Sequence, residues 1–386
     1  MSITSSRATA VALVTCATFT DIIAYSIAVP VLPDLSRRLG ATPTMIGLLF
    51  GSFGVTLLAV SVPMGAFSDR VGRRLPLVAG MIALAAASAL FAVSRSLPWL
   101  FAARMVQGAA DGVTWVVGFA LIADLYGPEE RGRVMGYVMS GTSVALAIGA
   151  SVGGWLYAMG GMALPFVALA VVSLLCAVGF ASIRLAPAAA KPPAPSAWSV
   201  IQSPPVAVCA AYVVIMGATL AMLEPVLPLF FNTRLGLSPS QIGLLFGAAA
   251  VALIVMPIVY GPLVGRWGSR RLVRLGLILM AIWLPMLALA VGLKSALALM
   301  VIEWMIVPLA MTPSLAYMAD VTSIGGADAY GVGYGVYNTA WAIGLLIGPA
   351  LGGFAFDRVG FAALLVVWAS AAILLTVVLG RIQSES

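Results

Sequence analysis

Long uninterrupted apolar segments recur along this chain, and they constrain its fold more than any other feature of the sequence. A helix of about 20 apolar residues spans a bilayer, and twelve such segments follow one another between Thr9 and Leu379. Only 9% of the residues are charged, whereas an ordinary soluble domain is about 25% charged. Because a helix satisfies its backbone hydrogen bonds internally, the sequence predicts an all-α integral membrane protein with twelve transmembrane helices.

The twelve segments fall into two similar halves. Ile46–Gly51 recurs unchanged as Ile242–Gly247, about 196 residues later. A Val-Pro-Val-Leu-Pro stretch ending at Pro33 returns as Glu-Pro-Val-Leu-Pro ending at Pro228, at nearly the same spacing. Each half holds six predicted spans, so the two copies share one topology.

This repeat predicts two six-helix bundles. The N-terminal bundle is expected over residues 1–183 and the C-terminal bundle over residues 206–386, around a central cavity that opens to alternate sides as the halves rock. Residues 184–205, between them, are rich in proline and alanine. Proline interrupts helices, so this stretch is predicted to be a cytoplasmic linker.

Basic residues set the predicted orientation. They concentrate in loops on one side, such as Arg70, Arg73 and Arg74 in the first half and Arg270 and Arg271 in the second. Because basic loops stay in the cytoplasm, both termini are predicted to be cytoplasmic, in a multi-pass protein of the inner or plasma membrane. This bias explains the net charge of +7, and no nucleic-acid partner is expected.

Missing residue types exclude several functions. The chain has no histidine, which removes histidine proton relays, the common zinc sites and Ser-His hydrolases. Neither Lys191 nor Lys294 follows the glycine of a phosphate-binding loop, so ATP hydrolysis is not expected. We therefore predict a protein that is not an enzyme and uses no cofactor or metal. A monomer is expected. Its expected partners are a small-molecule substrate, protons and the lipid bilayer.

The loop between the second and third predicted spans resembles a family signature. Gly65–Arg74 reads Gly-x3-Asp-Arg-x-Gly-Arg-Arg and is similar to the cytoplasmic loop of the major facilitator superfamily. With the repeat, this likeness covers nearly the whole chain and implies the fold of that family. It also implies that charge-assisted bonds hold the inner side shut. The second copy of the loop has Gly265 at the position of Asp69, so weaker charge-assisted bonds are expected in the second half. The gating residues that the resemblance implies in the loop are Gly65, Asp69, Arg70, Gly72 and Arg73.

Further segments resemble the drug/proton antiporter branch of that superfamily. They are Arg104–Gly108 in the fourth span, Glu129–Arg133 after it, and the glycine-rich Gly344–Gly353 in the eleventh. Small residues at such spacing let helices approach closely, and the resemblance implies that Gly348 and Pro349 help to seal the cavity. Ordinary small-residue packing is the alternative.

The likeness extends to the vesicular amine transporters in two places. Asp21 precedes its Val-Pro-Val-Leu-Pro stretch as the span 1 acid of those transporters does, and Glu224 matches their span 7. Those transporters have a lysine in span 2 and acids in spans 10 and 11 that this chain lacks. The corresponding positions here are Phe53, the neighbourhood of Pro308, and Asn338. Only half of their membrane network is therefore present, and neither substrates nor coupling ratio follow from the likeness.

Ionisable side chains inside the predicted spans are the candidate site, because each costs about 3 kcal/mol near the bilayer centre. Asp21 and Glu224 are expected to line the cavity, where a carboxylate can pair with an amine or hold a proton. The resemblance to the antiporter branch implies that Arg104 lies near the proton-carrying acids. Asp111, two turns further on, is either a third acid or a partner of Arg104. Glu303 lies near the outer end of its span, where snorkelling to water is possible. The predicted proton-coupling set is Asp21, Glu224, Arg104 and Asp111.

Aromatic faces and one amide complete the predicted substrate contacts. Tyr25 lies one turn from Asp21, and Trp115 lies one turn after Asp111; such rings can hold a cation. Packing inside the bundle is the alternative for each aromatic residue. The predicted substrate-binding set is Asp21, Tyr25, Trp115, Glu224, Tyr337, Asn338 and Trp341.

The leading interpretation is a proton-coupled antiporter that exports cationic or amphipathic small molecules, such as amines or drugs. The alternative is an exporter or proton symporter of neutral solutes such as sugars. That alternative predicts a cavity rich in asparagine, glutamine and arginine, whereas Asn338 and Gln107 are almost the only such amides in the spans. An intramembrane enzyme, a receptor and a channel lack support in the motifs.

Overall fold

The computed structural model describes residues 3–183, 202–323 and 329–385, and most of the predicted linker lies outside these ranges. Helices account for the secondary structure of the described residues. The helices of the first half are α1 (Ile3–Ile27), α2 (Leu32–Leu39), α3 (Pro43–Val71), α4 (Arg74–Val93), α5 (Leu97–Leu125), α6 (Pro128–Gly160) and α7 (Ala163–Ser182). Those of the second half are α8 (Pro204–Leu235), α9 (Pro239–Trp267), α10 (Ser269–Trp283), α11 (Leu293–Ser323), α12 (Ala329–Val359) and α13 (Phe361–Glu385).

Twelve helical segments of the described residues are long and apolar enough to cross a membrane, which confirms the predicted number of spans. The ninth consists of α10 and the 3-10 turn Leu284–Leu289 that follows it. The short α2, with eight residues, is the exception. Local sequence explains several helix limits. Proline occupies the first turn of α5, α6 and α8, where its missing N–H is not needed. Gly236 ends α8 in the left-handed region, at φ 65°, which favours glycine.

The chain divides into two compact units. Unit 1 comprises Met1–Ala41, Ser52–Lys191 and Ser238–Gly247. Within it α1 packs against α6, and α4 packs against α5 and α7. Close approach of α1 and α6 depends on glycine, since a Cβ at Gly153 would lie 2.9 Å from the carbonyl oxygen of Ile27.

Unit 2 comprises Thr42–Gly51, Pro192–Leu237 and Ala248–Ser386. It repeats the packing of unit 1, because α8 packs against α12, and α10 packs against α11 and α13. A Cβ at Gly344 would lie 2.7 Å from the backbone nitrogen of Ala218, so α8 and α12 also touch at backbone distance.

The repeated Ile-Gly-Leu-Leu-Phe-Gly stretch has a specific packing role. In unit 2 a Cβ at Gly51 would lie 2.8 Å from the carbonyl oxygen of Leu346 on α12. In unit 1 a Cβ at Gly247 would lie 3.1 Å from the carbonyl oxygen of Ala147 on α6. Both copies therefore require glycine for close helix contact, which explains why the last residue of the stretch is glycine in both halves.

Candidate functional site

Two buried carboxyl groups meet between α1 and α5 in unit 1. Asp21 is 1% exposed and Asp111 is also buried, and their carboxyl groups lie within hydrogen-bonding range of each other. No hydrogen-bond donor among the described residues reaches either oxygen of Asp21. Adjacent like charges repel strongly in a low-dielectric interior, so the two groups cannot both be ionised. The arrangement is that of a pair sharing a proton.

A buried cation lies beside this acidic pair. Arg104 is 0% exposed, and its Nη1 donates a hydrogen bond of 2.7 Å to Oε1 of Gln107, one turn along α5. Its guanidinium carbon lies 4.7 Å from the ring centroid of Tyr25 and 4.9 Å from that of Phe53. The positive charge of Arg104 acts on Asp111. The cation is thus held by two rings and an amide while its charge acts on one member of the acidic pair, Asp111.

An indole ring borders the site on α5. The Trp115 side chain is within hydrogen-bonding range of Asp111 and stacks on Phe119, with ring centroids 5.5 Å apart and an interplanar angle of 8°. Trp115 and Tyr25 are only half-buried. We call this cluster the α1–α5 site, and its residues are Asp21, Tyr25, Phe53, Arg104, Gln107, Asp111 and Trp115.

The α1–α5 site has a simple charge balance. With one proton on the acidic pair, one carboxylate remains, and the charge of Arg104 cancels it. Unbalanced charge in an apolar interior is expensive, so loss of the proton favours its replacement by another cation.

The structure brings together five of the residues predicted from sequence: Asp21, Tyr25, Arg104, Asp111 and Trp115. It adds two whose roles the sequence did not reveal. Gln107 holds Arg104 at a spacing of three residues, which helical periodicity could have indicated. Phe53 was noticed only as a departure from the amine transporters, and no spacing rule connects α3 with α5.

The remaining predicted substrate contacts belong to unit 2. Glu224 is partly buried on α8. Tyr337 lies in the hydrophobic core of unit 2 with its hydroxyl 3.1 Å from Oγ of Ser314, and Trp341 packs against that core. Asn338 is exposed. In unit 2 Tyr337 and Trp341 thus contribute to packing, whereas Asn338 presents its amide at a surface.

Glu303 on α11 does not snorkel to water. Its side chain is 0% exposed, and neither carboxyl oxygen has a hydrogen-bond partner among the described residues. The sequence predicted a position near the outer end of the span, whereas the structure buries Glu303 in the first half of α11 (Leu293–Ser323).

The predicted gating loop is organised by Arg73. This buried side chain bonds Asp69 at 2.5 Å, Asp124 at 2.7 Å and Oγ of Ser68 at 2.5 Å. Burial by itself lowers the pKa of Arg73, but hydrogen bonds and charges from Asp124 and Asp69 outweigh it, so the pKa is raised overall. We call this group the Arg73 clamp. Gly72 forms the turn before it at φ 85°, a conformation that favours glycine.

The other predicted gating residues have simpler surroundings. Arg70 is exposed and Gly65 is half-buried on α3. Gly348 packs against the backbone of Ala218 in the α8–α12 contact of unit 2, and the neighbouring Pro349 is buried. Gly348 therefore contributes directly to the packing of two helices.

The second half contains a weaker equivalent of the Arg73 clamp. Ser269 donates a hydrogen bond of 2.7 Å to Asp320, and these residues are separated by 51 positions, as are Arg73 and Asp124. The repeat thus preserves the acid but replaces the arginine with serine. The ion pair between Arg73 and Asp124 in unit 1 therefore corresponds, in unit 2, to a hydrogen bond from the neutral hydroxyl of Ser269 to Asp320.

Comparison with known proteins identifies related sequences. The profile of the Major Facilitator Superfamily matches residues 14–323 and 209–384. The chain is 28% identical to the chromaffin granule amine transporter of Homo sapiens, over 84% of this chain and 62% of that protein. It is 26% identical to the synaptic vesicular amine transporter of Homo sapiens, over 87% and 66%, and 25% identical to the MFS-type transporter SLC18B1 of Homo sapiens, over 89% and 80%. The chain thus spans less than two thirds of the two amine transporters.

Solved structures share the fold at low sequence identity. A bacterial homologue of the human lysosomal transporter Spinster aligns with a TM-score of 0.79 and 15% identity, covering 97% of this chain and 96% of that one. The nucleoside transporter NupG aligns with a TM-score of 0.77 and 12% identity, covering 96% and 98%. These related proteins are transporters and not enzymes.

Proposed function

The chain belongs to the Major Facilitator Superfamily and is a multi-pass membrane transporter, and from that premise we propose that it is a proton-coupled antiporter. It exports cationic or amphipathic small molecules, such as amines or drugs, by alternating access. The observation that carries this proposal is the acidic pair of Asp21 and Asp111 beside Arg104. No nucleotide-binding loop is present in the sequence, and a proton gradient is the energy source.

Charge balance in the α1–α5 site supports exchange of a cation for a proton. The acidic pair with Arg104 is neutral when it holds one proton. An incoming amine that displaces this proton leaves the site neutral again, so either species avoids the cost of a buried unbalanced charge. Simultaneous binding of both would leave an excess positive charge. Mutually exclusive binding of this kind couples outward movement of substrate to inward movement of a proton.

Aromatic residues of the α1–α5 site support a cationic substrate. The rings of Tyr25 and Phe53 already face a guanidinium at 4.7 and 4.9 Å, which is the range of cation–π attraction. Trp115 is half-buried next to Asp111 and offers a further face. Two relatives are named as amine transporters, which agrees with a positively charged substrate.

Each charged residue has a separate proposed role. Asp21 pairs with the substrate cation, and Asp111 shares the proton that the cation displaces. Arg104 favours the ionised form of its neighbours and helps to expel the proton. Glu224, on α8 in unit 2, is a second proposed proton carrier, as its apolar neighbours Met222 and Leu223 suggest.

Proteoliposomes with an imposed pH difference and no nucleotide test this proposal. The purified protein should accumulate a labelled cationic compound, chosen from a panel of amines and lipophilic cations, on the side that supplies protons. Asp21→Asn should abolish binding and accumulation of the cation, because the amide cannot exchange a proton for an amine. Asp111→Asn should retain weakened binding but lose the dependence on the pH difference.

A matched control is Glu130→Gln, an exposed acid with a loose contact of 3.9 Å to Arg133. This variant should transport normally, since exposed ion pairs contribute little. Cation accumulation that persists in the presence of a protonophore, with pH difference and potential both collapsed, would refute proton coupling. Unchanged cation binding in Asp21→Asn would refute the assignment of the site.

A further inference from the structure

Glu303 is a carboxyl group that the α1–α5 site does not use. It lies in the first half of helix α11 (Leu293–Ser323) and is 0% exposed. Neither of its oxygens has a hydrogen-bond partner among the described residues. Asp21 also lacks a hydrogen-bond donor among the described residues, but it lies beside Asp111. Three other acids have polar partners: Asp124 meets Arg73, Asp320 accepts from Ser269, and Asp357 accepts from Thr44.

The internal repeat shows what is unusual about this position. Glu303 lies 196 residues after Gln107, the offset of the repeated Ile-Gly-Leu-Leu-Phe-Gly stretch. In unit 1 Gln107 accepts a hydrogen bond from Arg104. The residue equivalent to Arg104 is Met300, which is buried and uncharged. Unit 2 has therefore lost the cation at this place while it carries an acid where unit 1 carries a neutral amide.

No charged neighbour compensates Glu303. Helices α8, α10 and α12 and the 3-10 turn Leu284–Leu289 pack against α11, and the turn has no titratable residue. None of the described titratable groups on these helices forms a hydrogen bond with either carboxyl oxygen of Glu303. These groups are Cys209, Tyr212, Glu224 and Arg234 on α8, Arg270, Arg271 and Arg274 on α10, and Tyr337, Asp357 and Arg358 on α12.

Burial without a partner determines the protonation state of Glu303 in this conformation. An ionised carboxylate in an apolar interior costs many times more than a neutral carboxylic acid, and such a group takes up a proton instead. A permanently neutral position could be filled by glutamine, methionine or leucine without any charge to suppress. A carboxyl group adds the ability to release the proton once water reaches it.

We propose that Glu303 is a second proton-binding site, in unit 2, which is loaded in the conformation described here and emptied when another conformation admits water. The inference rests on the proposed proton-coupled transport and adds one proton to each cycle. The proton enters the Glu303 carboxyl group from water on one side of the membrane and leaves as hydronium on the other side. No bond other than O–H forms or breaks.

Infrared difference spectroscopy of the purified protein tests whether Glu303 holds a proton. A protonated carboxylic acid has a C=O stretching band that a carboxylate and an amide lack. At neutral pH this band should decrease in Glu303→Gln relative to the wild type and return in Glu303→Asp. Glu130→Gln is the control, since it removes an exposed carboxyl group that faces Arg133, and should leave the band unchanged. An equal band in Glu303→Gln and in wild type would overturn the proposal.

Transport measurements test whether that proton is coupled. With the membrane potential clamped at zero, each coupled proton contributes about tenfold in substrate accumulation per pH unit. Glu303→Gln should therefore reduce accumulation about tenfold at a difference of one pH unit. Glu303→Asp should restore it, and Glu130→Gln should match the wild type. Correct folding of each variant is checked by its elution as a single species and by unchanged binding of the cation.

The outcomes separate this proposal from the proposed function. If Glu303→Gln accumulates substrate like the wild type while Asp21→Asn does not, the role of Glu303 is overturned and the α1–α5 exchange site stands. If the wild type shows no dependence on the pH difference, both proposals fail. If Glu303→Gln decreases the infrared band and also lowers substrate accumulation about tenfold, Glu303 is a coupled proton site.

Discussion

Asp124→Asn should destabilise the protein much more than Asp69→Asn, although the motif in the sequence singles out Asp69. Both acids bond Arg73, at 2.7 and 2.5 Å, so distance alone does not distinguish them. Their exposure to solvent distinguishes them, since the side chain of Asp69 is 56% exposed and that of Asp124 only 13%. Solvent screens the first pair, while the second joins the start of α4 to the end of α5 in a buried setting.

The expected magnitudes follow from these environments. An exposed ion pair contributes about 0–1 kcal/mol, so Asp69→Asn should cost no more than that. Charge-assisted hydrogen bonds contribute about 1.5–3 kcal/mol, and breaking a buried ion pair costs about 3–5 kcal/mol. Asparagine retains a neutral acceptor for Arg73, so we expect about 2–3 kcal/mol for Asp124→Asn, or roughly 30- to 150-fold in the unfolding equilibrium.

Thermal unfolding of the purified variants in one detergent measures this difference. Asp320→Asn is the matched control at the equivalent position of the second half, where the donor is the neutral hydroxyl of Ser269. It should cost only about 0.5–1.5 kcal/mol. The expected order of unfolding midpoints is Asp124→Asn lowest, with Asp69→Asn and Asp320→Asn close to wild type. Equal destabilisation by Asp69→Asn and Asp124→Asn would refute the argument from exposure.

Two further predictions concern unit 2. Glu224→Gln should retain cation binding and substrate–substrate exchange but lose gradient-driven accumulation; normal accumulation in proteoliposomes would remove Glu224 from proton coupling. Gly348→Val should lower the thermal unfolding midpoint, at a cost of about 1–3 kcal/mol, because its side chain would meet the Ala218 backbone. The control Gly261→Ala, where a Cβ meets nothing within 4 Å, should not lower it, and equal midpoints would contradict the proposed packing role of Gly348.

Sequence alone identified the features that depend on local composition. Twelve apolar segments of spanning length predicted twelve helices, and the structure confirms them. The unchanged Ile46–Gly51 and Ile242–Gly247 revealed the repeat, while the Gly65–Arg74 loop indicated the superfamily to which the chain belongs. Length, hydropathy and short motifs carry this information because each is read within one stretch of chain.

Tertiary structure alone decided which polar groups meet. It placed Asp21 beside Asp111, surrounded Arg104 with Tyr25 and Phe53, and left Glu303 without a hydrogen-bond partner among the described residues. Helices that are apolar on all sides give no hydropathy signal for the face that turns inward, because lipid is as apolar as the protein interior. The rotation of each helix is set instead by packing details, such as the glycine contacts between α1 and α6, that involve residues more than a hundred positions apart.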